Sequence, residues 1–394
     1  MIDKLDPIHS LSHERFDLDE FFDSSLFPTY AQQTLSFARA MSRHLLTDLA
    51  CKQYPELVSL GFWLRDANLF HFEKKIKGKY LKPLGSVLHI TPNNVDTMFM
   101  YSWICSLLMG NRNLVRVSTK ESRIKALLLK AIKSQFSKSE FAALSSANQF
   151  ISYEKASNWT TYLSARVDAR VIWGGDETVS EIRAAQTGVR CRDVSFADRQ
   201  SVAIVNGDMF TNSDTIDGVA ERLWRDTHPY EQQACSSPRI IFWLGELRHQ
   251  RAFFEAVNTL ATATSQQIYQ RNERLVLLQQ LRSSGVVDSV IMDDAITAMC
   301  LAQSFPLNKV NHPGYLQYFI VDLTALEALP SYLDEKVQTV TYAGIEVQRL
   351  LNVLSCPSIK GVDRVVPTGS ALTFSPVWDG YDLFSQLSRE IILE

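Results

Sequence analysis

One cysteine stands in a segment whose composition suits a nucleophile. The run His228-Pro229-Tyr230-Glu231-Gln232-Gln233-Ala234-Cys235-Ser236-Ser237-Pro238-Arg239 leads into the apolar stretch Ile240-Ile241-Phe242-Trp243-Leu244. A thiolate nucleophile needs access and a fixed aim, and a short loop between a helix and a buried strand supplies both. Taken alone, Cys235 fits better with the commoner fate of a free thiol, a small buried hydrophobe. His228, seven residues earlier, has the chemistry to lower the cysteine's pKa or to protonate an oxyanion. That separation fixes no geometry, and an ordinary polar loop residue ahead of Pro229 is the simpler reading.

The elements that must hold this loop are legible around it. Residues 213–226 place Ile216, Val219, Ala220, Leu223 and Trp224 on one helical face, and residues 240–244 read as a strand. Upstream, the spacing predicts strands over 85–90, 113–117, 150–153, 169–173 and 201–205. Helices are predicted over 95–108, 121–136, 156–165 and 176–185, with Gly110 as the C-cap residue of the first. Strands alternating with helices indicate a parallel sheet with crossover helices. Such sheets bind ligands beyond the carboxyl ends of their strands, where the turns 91–94, 118–120 and 174–176 fall.

The flanks are less regular. Residues 1–80 read as mostly helical, with helical spacing over 30–50 and an aromatic cluster at 61–65 that packs between helices. Beyond the cysteine loop, residues 248–303 read as one long helical region. Strands follow over 316–321 and 337–342, and a helix over 345–354. A strand and turn at 364–370 precede Trp378-Asp379-Gly380, where Asp379 suits a ribose hydroxyl or, the favoured reading, the cap of a final helix over 381–391. The terminal segment 388–394 suits either a subunit interface or internal packing.

Composition narrows the class. The chain has 394 residues, 46% hydrophobic, enough for two domains. Its net charge of −3 comes without a basic block, which argues against nucleic acid as a partner. The six cysteines (51, 105, 191, 235, 300 and 356) show no CxxC spacing. That argues against a metal site or a disulfide framework and suits a reducing, cytoplasmic compartment. Residues 1–7 lack the apolar core of a signal peptide. The longest apolar stretch, 98–109, is too short to span a membrane.

Three segments together are similar to a known family. Pro83-Leu84-Gly85-Ser86-Val87-Leu88-His89-Ile90-Thr91-Pro92-Asn93-Asn94 resembles the strand and Pro-x-Asn segment of the aldehyde dehydrogenase superfamily. Glu231-Gln232-Gln233-Ala234-Cys235-Ser236-Ser237-Pro238 resembles the nucleophile loop of its LuxC-type acyl-CoA reductase branch, the long-chain fatty acyl reductases. Arg364-Val365-Val366-Pro367-Thr368-Gly369-Ser370-Ala371-Leu372 with Trp378-Asp379-Gly380 resembles that branch's C-terminal signature. The likeness runs from about residue 60 onward, with the cysteine between the other two motifs.

The resemblance implies an α/β, aldehyde-dehydrogenase-like fold. A Rossmann-type parallel-sheet nucleotide domain with the N-terminal helical region would occupy 1–205, and an α/β catalytic domain 206–365. Segment 366–394 would return to the nucleotide domain or to an oligomer interface. The implied activity is NADPH-dependent reduction of a fatty acyl thioester to an aldehyde, NADH being the less favoured cofactor. The acyl donor would be acyl-CoA or an acylated partner protein, and the enzyme a homo-oligomer.

Residue by residue, Cys235 would form the acyl-enzyme thioester. The Asn94 side chain and the Cys235 backbone N–H would stabilise the oxyanion; capping of the following helix is the plain alternative for Asn94. Cofactor contacts would come from Thr91, Arg116, Ser118, Lys120, Gly174 and Gly175.

Departures from the family pattern are informative. In Arg116-Val117-Ser118-Thr119-Lys120, Arg116 replaces the family's lysine and Thr119 its acidic residue. Positive charge from Lys120 and Arg123 without that carboxylate favours a 2′-phosphate. After Trp173-Gly174-Gly175-Asp176-Glu177, Val179 stands where a second turn glycine belongs. Phe196-Ala197-Asp198-Arg199-Gln200-Ser201 carries no glutamate in the place of the water-activating residue of aldehyde-oxidising members, which favours reduction over hydrolysis to free acid. Two other classes stay open: a cysteine acyltransferase or thioesterase served by His228, and a catalytically silent assembly subunit.

Overall fold

The computed structural model describes residues 6–302 and 312–394. The chain divides into two units, Met1–Asp198 with Phe374–Glu394, and Arg199–Thr373.

The first unit is built on a six-stranded sheet in the order His9–Ser10, Asn148–Ser152, Arg112–Arg116, Ser86–Ile90, Ala169–Trp173, Arg192–Phe196. All neighbours are parallel except the short edge strand His9–Ser10. Ser86–Ile90, the earliest of the parallel strands, lies centrally. The next two build outward on one side and the last two on the other. Strand order therefore reverses between Ser86–Ile90 and Ala169–Trp173, which is where open α/β sheets bind ligands. Strands Ser86–Ile90, Asn148–Ser152 and Ala169–Trp173 are buried throughout and Arg112–Arg116 at its three middle positions, as a sheet covered by helices on both faces requires. Helix Met98–Leu108 is buried along its whole length. Helix Arg123–Phe136 starts at Ser122, whose hydroxyl accepts the Lys125 N–H.

Polar side chains tie the central strands together beneath the carboxyl edge. Asn113 donates to the Asn148 side chain and the Asn111 carbonyl, leaving its Oδ1 to accept from His89 Nε2 at 3.0 Å. His89 Nδ1 then accepts from the Ser102 hydroxyl at 2.8 Å, and Trp103 completes the chain by donating to Asn148. The pattern requires the neutral Nε2–H tautomer. Burial pushes the His89 pKa down to about 4, with the Asn113 hydrogen bond opposing the shift.

Helix Met98–Leu108 ends at Gly110, which has a φ of 84°. A Cβ there would overlap the Phe27 carbonyl oxygen, and the Phe27 N–H donates to the Gly110 carbonyl at 2.9 Å. Gly110→Ala is therefore expected to lower the free energy of unfolding by at least ~2 kcal/mol, from left-handed strain plus a backbone collision. Urea unfolding checks it, and an unchanged midpoint would show that Phe27 yields without cost.

The second unit carries a seven-stranded sheet in the order Val287–Asp293, Thr297–Leu301, Gln317–Asp322, Pro238–Leu244, Gln200–Asn206, Val337–Ala343, Arg364–Pro367. Only Val287–Asp293 runs antiparallel to its neighbour. Gln200–Asn206, placed by the sequence reading in the nucleotide domain, is thus a strand of the second sheet.

Two stretches differ from the sequence reading. Residues 248–303 are not one helical region. Helices Leu247–Thr262 and Ile268–Ser283 are followed by a hairpin, with Asp293 opposite Thr297. Gly285, with a φ of 71°, ends the second helix, and the β-branched run around Val286, Val287, Val290 and Ile291 then favours an extended chain. Position 303 itself lies outside the described residues.

The final helix is four residues, Leu383–Gln386, capped by Asp382 and not by Asp379. Asp379 and Gly380, both with positive φ, form the two-residue turn that joins Val377–Trp378 to Tyr381–Asp382. Arg192 donates to the carbonyls of Ser385, Gln386 and Ser388, which a longer helix would need. The chain continues instead as strand Ser388–Ile391, antiparallel to Tyr80–Pro83. Ile391, Ile392 and Leu393 remain exposed, so internal packing does not account for them.

Candidate active site

The cysteine loop belongs to the second unit. Helix Ser213–Thr227 opens with a capping box between Asn212 and Thr215 and buries Val219, Ala220 and Leu223. His228 closes it, donating its backbone N–H to the Trp224 carbonyl at 2.8 Å; its ring stacks on the Trp224 indole at 4.5 Å. The chain then passes through three consecutive left-handed residues, Tyr230, Glu231 and Gln232, with φ of 55°, 54° and 61°. Non-glycine residues occupy that region only where surrounding contacts impose it. Here the Glu231 carbonyl accepts the Tyr315 N–H at 2.7 Å.

Cys235 occupies the second position of a tight turn closed by the Ser237 N–H on the Ala234 carbonyl at 3.0 Å. It is half-buried, at the amino end of strand Pro238–Leu244, and its carbonyl accepts the Ser201 hydroxyl at 2.7 Å. This is neither a sealed thiol nor one on a loose surface loop.

The C-terminal signature has a structural role in the same unit. Asp226, fully buried near the end of the helix, accepts the N–H groups of Gly369 (2.6 Å) and Ala371 (2.9 Å). Arg364 donates to the carbonyls of Ala371 and Ser370. Gly369 has a φ of 97°, and a Cβ there would sit 3.0 Å from Arg222 Cγ. The motif thus clasps the helix that delivers the cysteine loop. Burial raises the Asp226 pKa to about 6, against the lowering pull of the two N–H bonds and of Arg364 and Arg225. Sequence reasoning missed Asp226. A carboxylate seven residues after Val219 and three after Leu223, on the apolar stripe, was the available signal.

The remaining site residues lie in the first unit, on turns after three adjacent parallel strands. Thr91 is buried, and its hydroxyl donates to the Arg116 carbonyl at 2.8 Å, joining two strand ends. The Arg116 guanidinium stands 5.0 Å over the Tyr153 ring and donates to the Tyr153 carbonyl at 3.3 Å, while its buried Nε has no partner among the described residues. Ser118 Oγ accepts the Lys120 N–H at 3.2 Å, and Lys120 is exposed.

Lys125 is a residue that sequence reasoning missed. Its ammonium donates to the carbonyls of Ser118, at 2.7 Å, and Lys120, and so shapes that turn from within. Burial pushes its pKa down, with Asp96 opposing. Its place three residues before Leu128, on the buried face of the helix, was the clue.

Gly174 donates its N–H to the Phe196 carbonyl, beside a Trp173–Phe196 ring stack at 3.8 Å. Neither Gly174 nor Gly175 has a positive φ. A side chain at Gly174 would press on Thr178, whereas Gly175 has only ordinary contact space, toward Asp198. Asp176 accepts the Asp198 N–H at 3.1 Å, which gathers exposed carboxylates at this helix start. Asn94 is exposed on a bend, and the helix begins at Met98 with Thr97 in the capping position. Asn94 is therefore not the helix cap. It lies in the first unit, whereas Cys235 and His228 lie in the second.

Among the described residues no three His, Cys, Asp or Glu side chains are grouped to hold a metal, and no helix is long and apolar enough to cross a membrane.

These two units define an aldehyde-dehydrogenase-like fold. The structure is similar to that of aldehyde dehydrogenase 21 from Physcomitrella patens in complex with succinate (TM-score 0.68, 9% identity, 95% of this chain and 88% of that one). It is also similar to the NADP-complexed glyceraldehyde-3-phosphate dehydrogenases of Methanocaldococcus jannaschii (0.66, 12%, 91% and 88%) and Bacillus halodurans (0.66, 12%, 91% and 85%). The fold expected from the motifs is thereby borne out. No curated protein matches the sequence. The model of the acyl-CoA reductase (LuxC) family matches residues 41–273, and the chain belongs to that family. It is an oxidoreductase of the aldehyde-dehydrogenase type acting on acyl groups.

Proposed function

We propose that this chain reduces a fatty acyl thioester, presented as acyl-CoA or on an acylated partner protein, to the aldehyde, through an acyl-cysteine at Cys235 and with NADPH. The observation that carries this reading is the half-buried Cys235 at the second position of a turn, with its carbonyl held by Ser201. The Cys235 thiolate attacks the thioester carbonyl, the new C–S bond forms, and the donor thiolate leaves. The Asn94 amide and the Cys235 N–H stabilise the oxyanion. Bound NADPH supplies the hydride that converts the acyl carbon to an aldehyde. Cys235 then departs as thiolate, ready for the next acyl group.

The residues present suit a dinucleotide at the strand-order reversal. The unpartnered buried Nε of Arg116 and the exposed Lys120 offer donors for a phosphorylated ribose. The helix start at Gly175 would offer backbone N–H groups to the pyrophosphate, beside the Asp198 carboxylate. The carboxylates of Asp176 and Glu177 would repel a phosphate placed against the first turn. Thr91 shapes the edge and Gly174 the packing behind it. With its ring stacked on Trp224, His228 serves the loop's structure. The scattered thiols suit a reducing, cytoplasmic compartment, and the family resemblance implies a homo-oligomer.

Intact mass after mixing with a long-chain acyl-CoA, without and then with NADPH, tests the reading. An adduct of acyl mass on Cys235, discharged by NADPH with release of aldehyde, is expected. An adduct that water discharges equally fast would make the protein a thioesterase. Asn94→Ala is expected to lower kcat by about 10²–10³ with little change in acyl-CoA binding; a change confined to KM would remove its oxyanion role.

A further inference from the structure

Strand Pro238–Leu244 begins with the one residue that cannot give a ladder hydrogen bond. Its neighbours on both sides meet this gap with side chains. On one side, regular parallel pairing with Gln317–Asp322 begins only at Ile240 and Phe319. In the space before it, the Gln232 amide accepts the Gln317 N–H at 3.0 Å and donates to the Gln317 carbonyl at 2.9 Å and to the Pro238 carbonyl at 2.8 Å. One side-chain amide thus replaces a missing backbone partner. Gln232 is wholly buried, and these bonds hold its left-handed φ of 61°. His312 adds a bond from Nε2 to the same Gln317 carbonyl, at 3.0 Å.

On the other side, Ser201 stands opposite Pro238, with a register shift before Val202. Its buried hydroxyl accepts the Thr339 N–H at 3.3 Å and donates to the Cys235 carbonyl. The turn bearing Cys235 is therefore fixed three residues before the sulfur, through Gln232, and at the cysteine's own carbonyl, through Ser201.

We propose that Ser201 and Gln232 are positioning residues that aim the Cys235 sulfur, acting as a two-sided clamp seated in the gap left by Pro238. This rests on Cys235 being the acylated nucleophile. Neither side chain needs to touch substrate. Acyl transfer demands a fixed approach of sulfur to carbonyl, and small misplacements cost rate steeply. Iodoacetamide, a small freely diffusing alkylating agent, makes no such demand.

The test compares Ser201→Ala, Ser201→Thr and Gln232→Glu with the unchanged full chain. Two rates are read on Cys235: acylation by acyl-CoA, from intact mass, and alkylation by iodoacetamide, from the labelled peptide. Ser201→Ala and Gln232→Glu are expected to acylate about 10–100-fold more slowly. Their alkylation should stay within about threefold, since orientation is lost and the thiol is kept. Ser201→Thr retains the hydroxyl and should recover most of the acylation rate. Acylation unchanged in Ser201→Ala and Gln232→Glu overturns the clamp, and so do acylation and alkylation falling in parallel. If the unchanged protein takes no acyl group, the nucleophile reading itself has failed and the clamp falls with it. That outcome is distinct from normal acylation in the variants.

Discussion

Cys235→Ala is expected to abolish acyl transfer and aldehyde formation, a loss on the order of 10⁴-fold or more, while leaving dinucleotide affinity nearly intact. The magnitude follows from the role. A covalent nucleophile has no substitute when its sulfur is removed, and only binding and oxyanion donors remain to accelerate the reaction. The selectivity follows from the fold. The turns assigned to the dinucleotide follow strands Ser86–Ile90, Arg112–Arg116 and Ala169–Trp173 of the first unit, and Cys235 belongs to the sheet of the second. Sulfur-to-hydrogen exchange at a half-buried turn removes little packing, so the variant should fold with an ordinary unfolding midpoint. Stopped-flow fluorescence of NADPH on mixing, beside aldehyde assay of the same preparation, separates the two. Residual aldehyde at more than about one part in a hundred of the parent rate would remove Cys235 from the chemistry, since loss of one oxyanion donor alone costs that much. A parallel loss of NADPH binding would instead mean that alanine disturbs more than the sulfur.

Much of this site was legible because it rests on local signals. The apolar periodicity of 213–226 and the run before Leu244 bracketed the cysteine loop, and the structure places helix Ser213–Thr227 and strand Pro238–Leu244 there. Gly110 announced the end of helix Met98–Leu108 because a left-handed residue at that position favours glycine. Most of the misses depend on partners distant in sequence. Nothing local to 381–391 tells that Arg192 takes the carbonyls of Ser385, Gln386 and Ser388, or that Tyr80–Pro83 offers an edge to Ser388–Ile391. The left-handed path through Tyr230, Glu231 and Gln232 contains no glycine to betray it. It exists because the Gln232 amide pairs with the Pro238 carbonyl and with the N–H and carbonyl of Gln317, which lies 85 residues on. Asp226 and Lys125 were visible as charges on apolar stripes, but the donors to Asp226, at 369 and 371, and the acceptors of Lys125, at 118 and 120, were not.

His89 and Asp226 set up the second large effect, an opposed response of stability to pH. His89 titrates near 6.5 when unfolded and near 4 when folded, because burial beside Ser102 and Asn113 disfavours the imidazolium. Between those values the unfolded chain binds the extra proton, so stability rises with pH across the window, by about 3 kcal/mol in all. Asp226 titrates near 3.8 when unfolded and near 6 when folded. Burial outweighs its two N–H bonds and the facing charges of Arg225, on its own helix, and Arg364, on the neighbouring strand. Here the folded chain binds the extra proton, so stability falls by about 3 kcal/mol as pH rises from 4 to 6. In the unaltered protein the two contributions nearly cancel. Each single variant exposes the other group. Asp226→Asn leaves His89 alone and should lose about 3 kcal/mol relative to the parent as pH drops from 6.5 to 4. His89→Gln leaves Asp226 alone and should gain a similar amount over the same descent. The carboxylates common to all three chains form a shared background, so the difference between the two variants isolates a divergence of about 6 kcal/mol. Urea unfolding at half-unit steps of pH measures it. If the units unfold in separate transitions, the His89 effect belongs to the one containing Ser86–Ile90 and the Asp226 effect to the one containing Ser213–Thr227. Parallel profiles for the two variants would sink the argument, because they would mean that neither group changes its proton affinity on folding.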